Sequence, residues 1–157
     1  MFNYILLASD GSECAIKAAA VAATLANKFG ARLTIINVYQ PFPTIGPYGE
    51  AVNGGLDEKY ITELQEHAIS HAGHIVEEAG VSYQSRSEVG QPAAEIVRVA
   101  EAEGCDLIVL GSRGASGLTL FLLAAACRTL QKGPALPWRT AVARCANISC
   151  PWPARCR

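Results

Sequence analysis

Aromatic side chains are scarce in this chain, 7% of 157 residues, and charged ones make up only 17%. A core poor in rings must be filled by small aliphatic groups, which suits Ala- and Val-rich helices packed on a sheet. No charge of one sign dominates. A formal net charge of -1 removes the electrostatic reason to expect nucleic acid or an anionic membrane as a partner. Long hydrophobic runs are missing too: the run Leu118–Cys127 is far shorter than a membrane-spanning helix needs. The first residues, Met-Phe-Asn-Tyr-Ile-Leu-Leu-Ala-Ser-Asp, have no basic leader, and their apolar run is too short for a signal peptide. The expectation is a soluble, cytoplasmic protein. Six cysteines are present, but no pair has C-x-x-C spacing, so zinc and thioredoxin-like sites lack support. Free thiols are expected instead.

What the sequence does hold is an alternation of strands and helices. Half of its residues are hydrophobic, enough for one compact domain to bury a sizeable core. Residues 4–9 form a continuous apolar run ending at Asp10-Gly11-Ser12, as expected of a strand buried on both faces of a parallel sheet. Ser12 reads as the N-cap of a helix over Glu13–Phe29, with Ala15, Ala18, Ala19, Ala22 and Leu25 on its apolar face and Gly30 at its end. Arg32–Val38 reads as a second strand. Residues 40–56, with three prolines and four glycines, predict no regular element. A long helix over Asp57–Ala79 follows, with Ile61, Leu64, Ala68, Ile75 and Val76 on its apolar face. Val81–Val89 reads as a weakly alternating third strand. A helix over Ala93–Glu103 begins after Pro92, which suits a first helical position. Leu107–Leu110 is the fourth strand.

This alternation implies an open parallel sheet with helices on both faces, joined by right-handed crossovers. Ligands of such sheets bind beyond the carboxyl ends of strands, where the strand order switches. Asp10-Gly11-Ser12, Val38-Tyr39-Gln40 and the loop Gly111–Gly117 all leave carboxyl ends and should meet at one crevice. Glycines at 111, 114 and 117 permit close backbone approach, so amide groups can cradle phosphate oxygens. No Gly-Lys-Ser/Thr follows, so this is not a Walker A loop. Nor is it the dinucleotide fingerprint, which belongs after the first strand. A glycine-rich turn that binds nothing is the equally weighted alternative on these residues alone.

Ile5-Leu-Leu-Ala-Ser-Asp-Gly-Ser12, the turn Gly90-x-Pro92-Ala93, and Asp106-Leu-Ile-Val-Leu-Gly-Ser-Arg-Gly114 agree in order and spacing with the universal stress protein family. The chain resembles that family over about residues 1–123. The resemblance implies a five-stranded parallel sheet, a homodimer, and either an adenine nucleotide (ATP or AMP) or no nucleotide at all. It implies that Asp10 approaches the adenine–ribose end, Ala8 lines the base pocket, and Val38 meets the adenine edge through its main chain. Gly111, Arg113 and Gly114 would surround the ribose-phosphate. For Asp10 the bland alternative is capping of the first helix, and for Val38 it is strand packing. No metal is expected beyond nucleotide-bound Mg.

The chain departs from the family pattern in two places. Nucleotide-binding members carry Gly-Ser or Gly-Thr nine residues beyond the second glycine, where this chain has Ala124 and Ala125. An adenosine or AMP half-site is compatible with that change, but a seat for the outer phosphates is not. The family's closing Pro-Val-Leu-Val-Val strand is also absent. In its place residues 133–157 form a tail holding both tryptophans and three of the cysteines, and no acidic residue follows Asp106. Its Arg/Cys/Trp/Pro texture resembles GC-rich DNA read out of frame. A frameshift near Leu122–Ala125 is the expectation, and a divergent partner-binding tail the alternative. The domain is expected to span 1–132, with a tail at 133–157 lacking order and the last strand missing or replaced; Ala141–Ile148 is a weak substitute.

Other constellations are less specific. His67, His71 and His74 share one helical face and could hold a metal, against the plainer reading of a solvated stripe. Glu77-Glu78 and Glu101-x-Glu103 read as solvated helix surface. Cys14 lies in a first helical turn, where a thiolate is favoured, although buried packing is the simpler account. No Gly-x-Ser-x-Gly elbow and no Ser/His/Asp set can be assembled. The function expected is therefore an adenine-nucleotide binding module in stress response. The rivals are a nucleotide-free dimeric interaction protein and a weak nucleotide hydrolase.

Overall fold

The computed structural model describes residues 1–41, 44–45, 51–52, 58–111 and 139–143. Its elements run β1 (Tyr4–Ala8), α1 (Glu13–Phe29), β2 (Arg32–Tyr39), β3 (Thr44–Ile45), β4 (Ala51–Val52), α2 (Glu58–Glu78), β5 (Tyr83–Val89), α3 (Pro92–Glu103), β6 (Leu107–Gly111) and β7 (Arg139–Ala143). Five strands form a sheet in the order β5-β2-β1-β6-β7, with every neighbouring pair parallel. The expected α/β architecture is thus the observed one. Strands β3 and β4 make a separate antiparallel pair, so the stretch expected to be irregular contains a short ladder. Two-residue strands leave no hydrophobic period that a sequence could display.

Strand β1 is buried on both faces because its residues alternate between two cores. Ile5 and Leu7 join Leu33, Ile35, Leu107 and Val109 beneath α1 and α2. Tyr4 and Leu6 join Ile36, Val99, Ala100, Cys105 and Ile108 on the α3 side. Alanines 15, 18, 19, 22, 23 and 26 are all buried along α1, and their small side chains let the helix axis come close to the sheet. Ser12 caps this helix by accepting from the Ala15 amide, and Gly30 ends it in the left-handed conformation, both as the sequence predicts.

Helix α2 is turned slightly from its expected face. Leu64 is exposed, while Gln65 is buried beside Ala68, Ile69, Ala72, Gly73 and Val76. The physical reason is a tether: the Gln65 side-chain amide donates to the Glu88 carbonyl at the end of β5. Strand β5 is an edge of the sheet, and Gln84 to Ser87 face solvent, which explains its weak alternation. The other flank of β6 is taken by Arg139–Ala143 in register with Leu107–Gly111. The last strand expected to be missing or replaced is thus supplied by the tail, starting two residues before the substitute expected at Ala141–Ile148.

Candidate functional site

From β1 the chain winds outward through β2 to β5, then crosses back to β6 and β7. The reversal falls between β1 and β6, the position at which ligands of open parallel sheets bind. In register, Ala8 lies opposite Ile36 on one side and Leu110 on the other. The ends of β1, β2 and β6 therefore bring Ala8, Asp10, Val38 and Gly111 to the same rim of the sheet. Arg113 and Gly114 lie outside the described residues, as do Ala124 and Ala125.

Asp10 is exposed on this rim, and its Oδ1 accepts from the Ser12 amide at 3.0 Å. It does not cap α1; Ser12 does so through Oγ, which accepts from the Ala15 amide at 3.3 Å. The carboxylate instead braces the turn that precedes the cap. It thereby stands beside the N-terminal end of a 17-residue helix, an end whose partial positive charge favours anions.

Ala8 and Val38 are half-buried and pack with Leu110, Ile96 and Val97 around the α3-side core. Of these, Ala8, Val38 and Leu110 make an apolar floor at the carboxyl ends of β1, β2 and β6. For Val38 this places the side chain in strand packing. Leu110 was not singled out by sequence reasoning, since it reads simply as the end of a buried strand.

Two further residues hold the rim in place and also escape the sequence reading. Ser9, buried, donates through Oγ to the Ala68 carbonyl of α2 at 3.0 Å. The buried Asn37 side chain donates to the Ser9 carbonyl at 2.7 Å, and the Ser9 amide donates to the Ile36 carbonyl at 2.9 Å. Buried polar groups are retained when paired, because leaving one unpaired costs about 1–3 kcal/mol. The turn after β1 is thus tied to both β2 and α2. The only sequence signal was a polar residue interrupting each of two apolar runs.

Gly111 is a glycine for a steric reason. A Cβ there would sit 2.8 Å from the backbone carbon and 2.9 Å from the carbonyl oxygen of Cys14. The end of β6 is therefore pressed against the first turn of α1. The expectation of free thiols fails at Cys14, which is disulfide-bonded; its partner is outside the described residues. It holds for Cys105, which is buried and free. Burial, reinforced by the charges of Glu103 and Asp106, pushes the Cys105 thiol up to about 12.

No group of three or more His, Cys, Asp or Glu side chains comes together as a metal centre among the described residues. The three histidines of α2 are exposed, and a three-ligand centre built on them is not formed. Nor is any described helix long and apolar enough to cross a membrane.

Comparison with known proteins gives a consistent result. A model of the universal stress protein family matches residues 1–130. A universal stress protein of Thermus aquaticus is 34% identical over 140 residues, covering 85% of this chain and 95% of its own. One from Methanocaldococcus jannaschii is 31% identical over 137 residues, covering 87% of this chain and 80% of its own. Among solved structures, the protein MJ0577 aligns with a TM-score of 0.70 at 26% identity, covering 94% of this chain and 99% of that one. A universal stress protein in complex with cAMP aligns with a TM-score of 0.61 at 22% identity, covering 90% and 96%.

Proposed function

Because this chain belongs to the universal stress protein family, we propose that it is an adenine-nucleotide binding module that acts through ligand occupancy and dimerisation in stress response. The observation that carries this reading is the convergence of Asp10, Ala8, Val38 and Gly111 at the switch between β1 and β6. The apolar floor offers a face for the base, the Asp10 carboxylate an acceptor for ribose hydroxyls, and the start of α1 a favourable end for a phosphate. Arg113 and Gly114 are assigned to the ribose-phosphate. That a protein of the same fold was solved with cAMP is compatible with an adenine ligand here. Alanine at 124 and 125, where a hydroxyl and a glycine would hold outer phosphates, favours AMP over ATP and speaks against a hydrolase.

Binding would be read out as stability, since a ligand that prefers the folded state raises the unfolding free energy by mass action. Equilibrium dialysis of labelled AMP against the full chain tests the assignment. Asp10→Ala is expected to weaken binding about tenfold, the loss of one charge-assisted hydrogen bond. Binding of equal strength by the wild type and Asp10→Ala would remove Asp10 from the site. Absence of binding by folded wild-type protein would favour the second reading, a nucleotide-free dimeric interaction module, for which Ala124 and Ala125 also speak.

A further inference from the structure

The exposed face of α2 carries a feature that the nucleotide reading leaves unused. His67 and His71 stand one helical turn apart, both exposed, with ring centroids 4.4 Å from each other and planes inclined by 43°. We propose that His67 and His71 form a two-histidine clamp for a divalent transition-metal ion of the zinc, nickel or copper class.

Histidines at i and i+4 present their rings on the same side of a helix, and zinc sites on helices use this spacing. Two imidazole nitrogens bound tetrahedrally at about 2.0–2.1 Å from one ion lie roughly 3.3 Å apart. Rings whose centroids are 4.4 Å apart need only small χ rotations to bring two nitrogens to that separation. Exposure makes those rotations inexpensive and leaves the remaining coordination positions to water. Imidazole nitrogens suit the borderline divalent ions and not Mg or Ca, with copper strongest among the first-row metals.

Helical rigidity adds to the case. The backbone between the two rings is fixed by α2 and by the Ser9 Oγ bond to the Ala68 carbonyl, so the second nitrogen binds as an intramolecular event at high effective concentration. No third His, Cys, Asp or Glu completes a set among the described residues. The clamp is therefore a two-point chelate with open positions, different in kind from a closed structural zinc centre. The described ring contact joins His67 and His71, and His74, three residues beyond His71, is left outside the clamp proposed here.

The test is a titration of the full chain with Ni²⁺ alone, after alkylation of accessible thiols, followed by histidine ring resonances. Paramagnetic broadening is expected at His67 and His71 at substoichiometric metal, ahead of His74. His71→Gln and His67→Gln should each weaken binding about tenfold or more, the chelate advantage, whereas His74→Gln should leave it unchanged. All three positions are exposed, so these variants are expected to fold, and their melting without metal provides the check. Equal affinity in His67→Gln, His71→Gln and wild type would overturn the proposal, as would an equal loss of affinity in His74→Gln.

Discussion

At the scale of single residues, two side-chain environments have measurable consequences. Gly111 meets the backbone of Cys14 so closely that an added methyl group has nowhere to go, because backbone atoms cannot rotate away. Gly111→Ala is expected to lower the unfolding free energy by about 1–3 kcal/mol, the usual cost of overpacking, and chemical denaturation would measure it. Cys105 behaves differently. Its thiol keeps its proton up to about pH 12 in the folded chain, against 9.0 for an ordinary thiol. Between those values the unfolded chain has released a proton that the folded chain retains, so stability present below pH 9 is lost as pH rises through the window. Tyr4 is displaced in the same direction by burial and by its hydrogen bond to Glu103. The denaturation midpoint should fall on going above pH 9, and Cys105→Ala should flatten part of that slope. A midpoint independent of pH there would contradict the assignment.

At the scale of elements, the packing of α2 on β5 turns on Gly73. A Cβ at this buried position would lie 2.2 Å from the Tyr83 hydroxyl oxygen and 2.7 Å from its Cζ. Alanine gains about 1 kcal/mol of helix propensity over glycine, but here it displaces a ring packed against the core. Gly73→Ala is expected to destabilise by about 1–2 kcal/mol, the overpacking cost less the propensity gain. With Tyr83→Ala already in place, the same change should instead stabilise by about 1 kcal/mol. A double-mutant cycle by urea denaturation reads the reversal of sign, and additivity would refute it. The same elements show what a sequence carries. Helix α1 was legible from end to end because Ser12, a run of buried alanines and Gly30 all act locally. Leu64 was misplaced because the rotation of α2 depends on Gln65 reaching Glu88, 23 residues away. Of the site, Asp10 and Gly111 were legible as turn residues after buried strands. Ser9 and Asn37 were not, since nothing local says which buried carbonyl a polar side chain will find.

At the scale of the whole molecule, the parallel sheet is closed on one side by a segment of an unusual tail. Arg139–Ala143 covers the flank of β6, whose Leu107, Ile108 and Val109 are buried. An uncovered apolar edge is a site for pairing with other chains. A chain ending at Trp138 is therefore expected to melt lower and to aggregate with rising concentration by light scattering; unchanged melting would mean that β7 contributes nothing. The carboxyl end of the sheet at the switch between β1 and β6 is the place proposed above for an adenine nucleotide. The most direct test of that proposal is the melting temperature of the full chain titrated with AMP and, separately, with ATP. A saturable rise with AMP and a smaller one with ATP is expected if, as proposed, Ala124 and Ala125 stand in place of an outer-phosphate seat. No rise with either nucleotide, in protein with a cooperative melting transition, would contradict it.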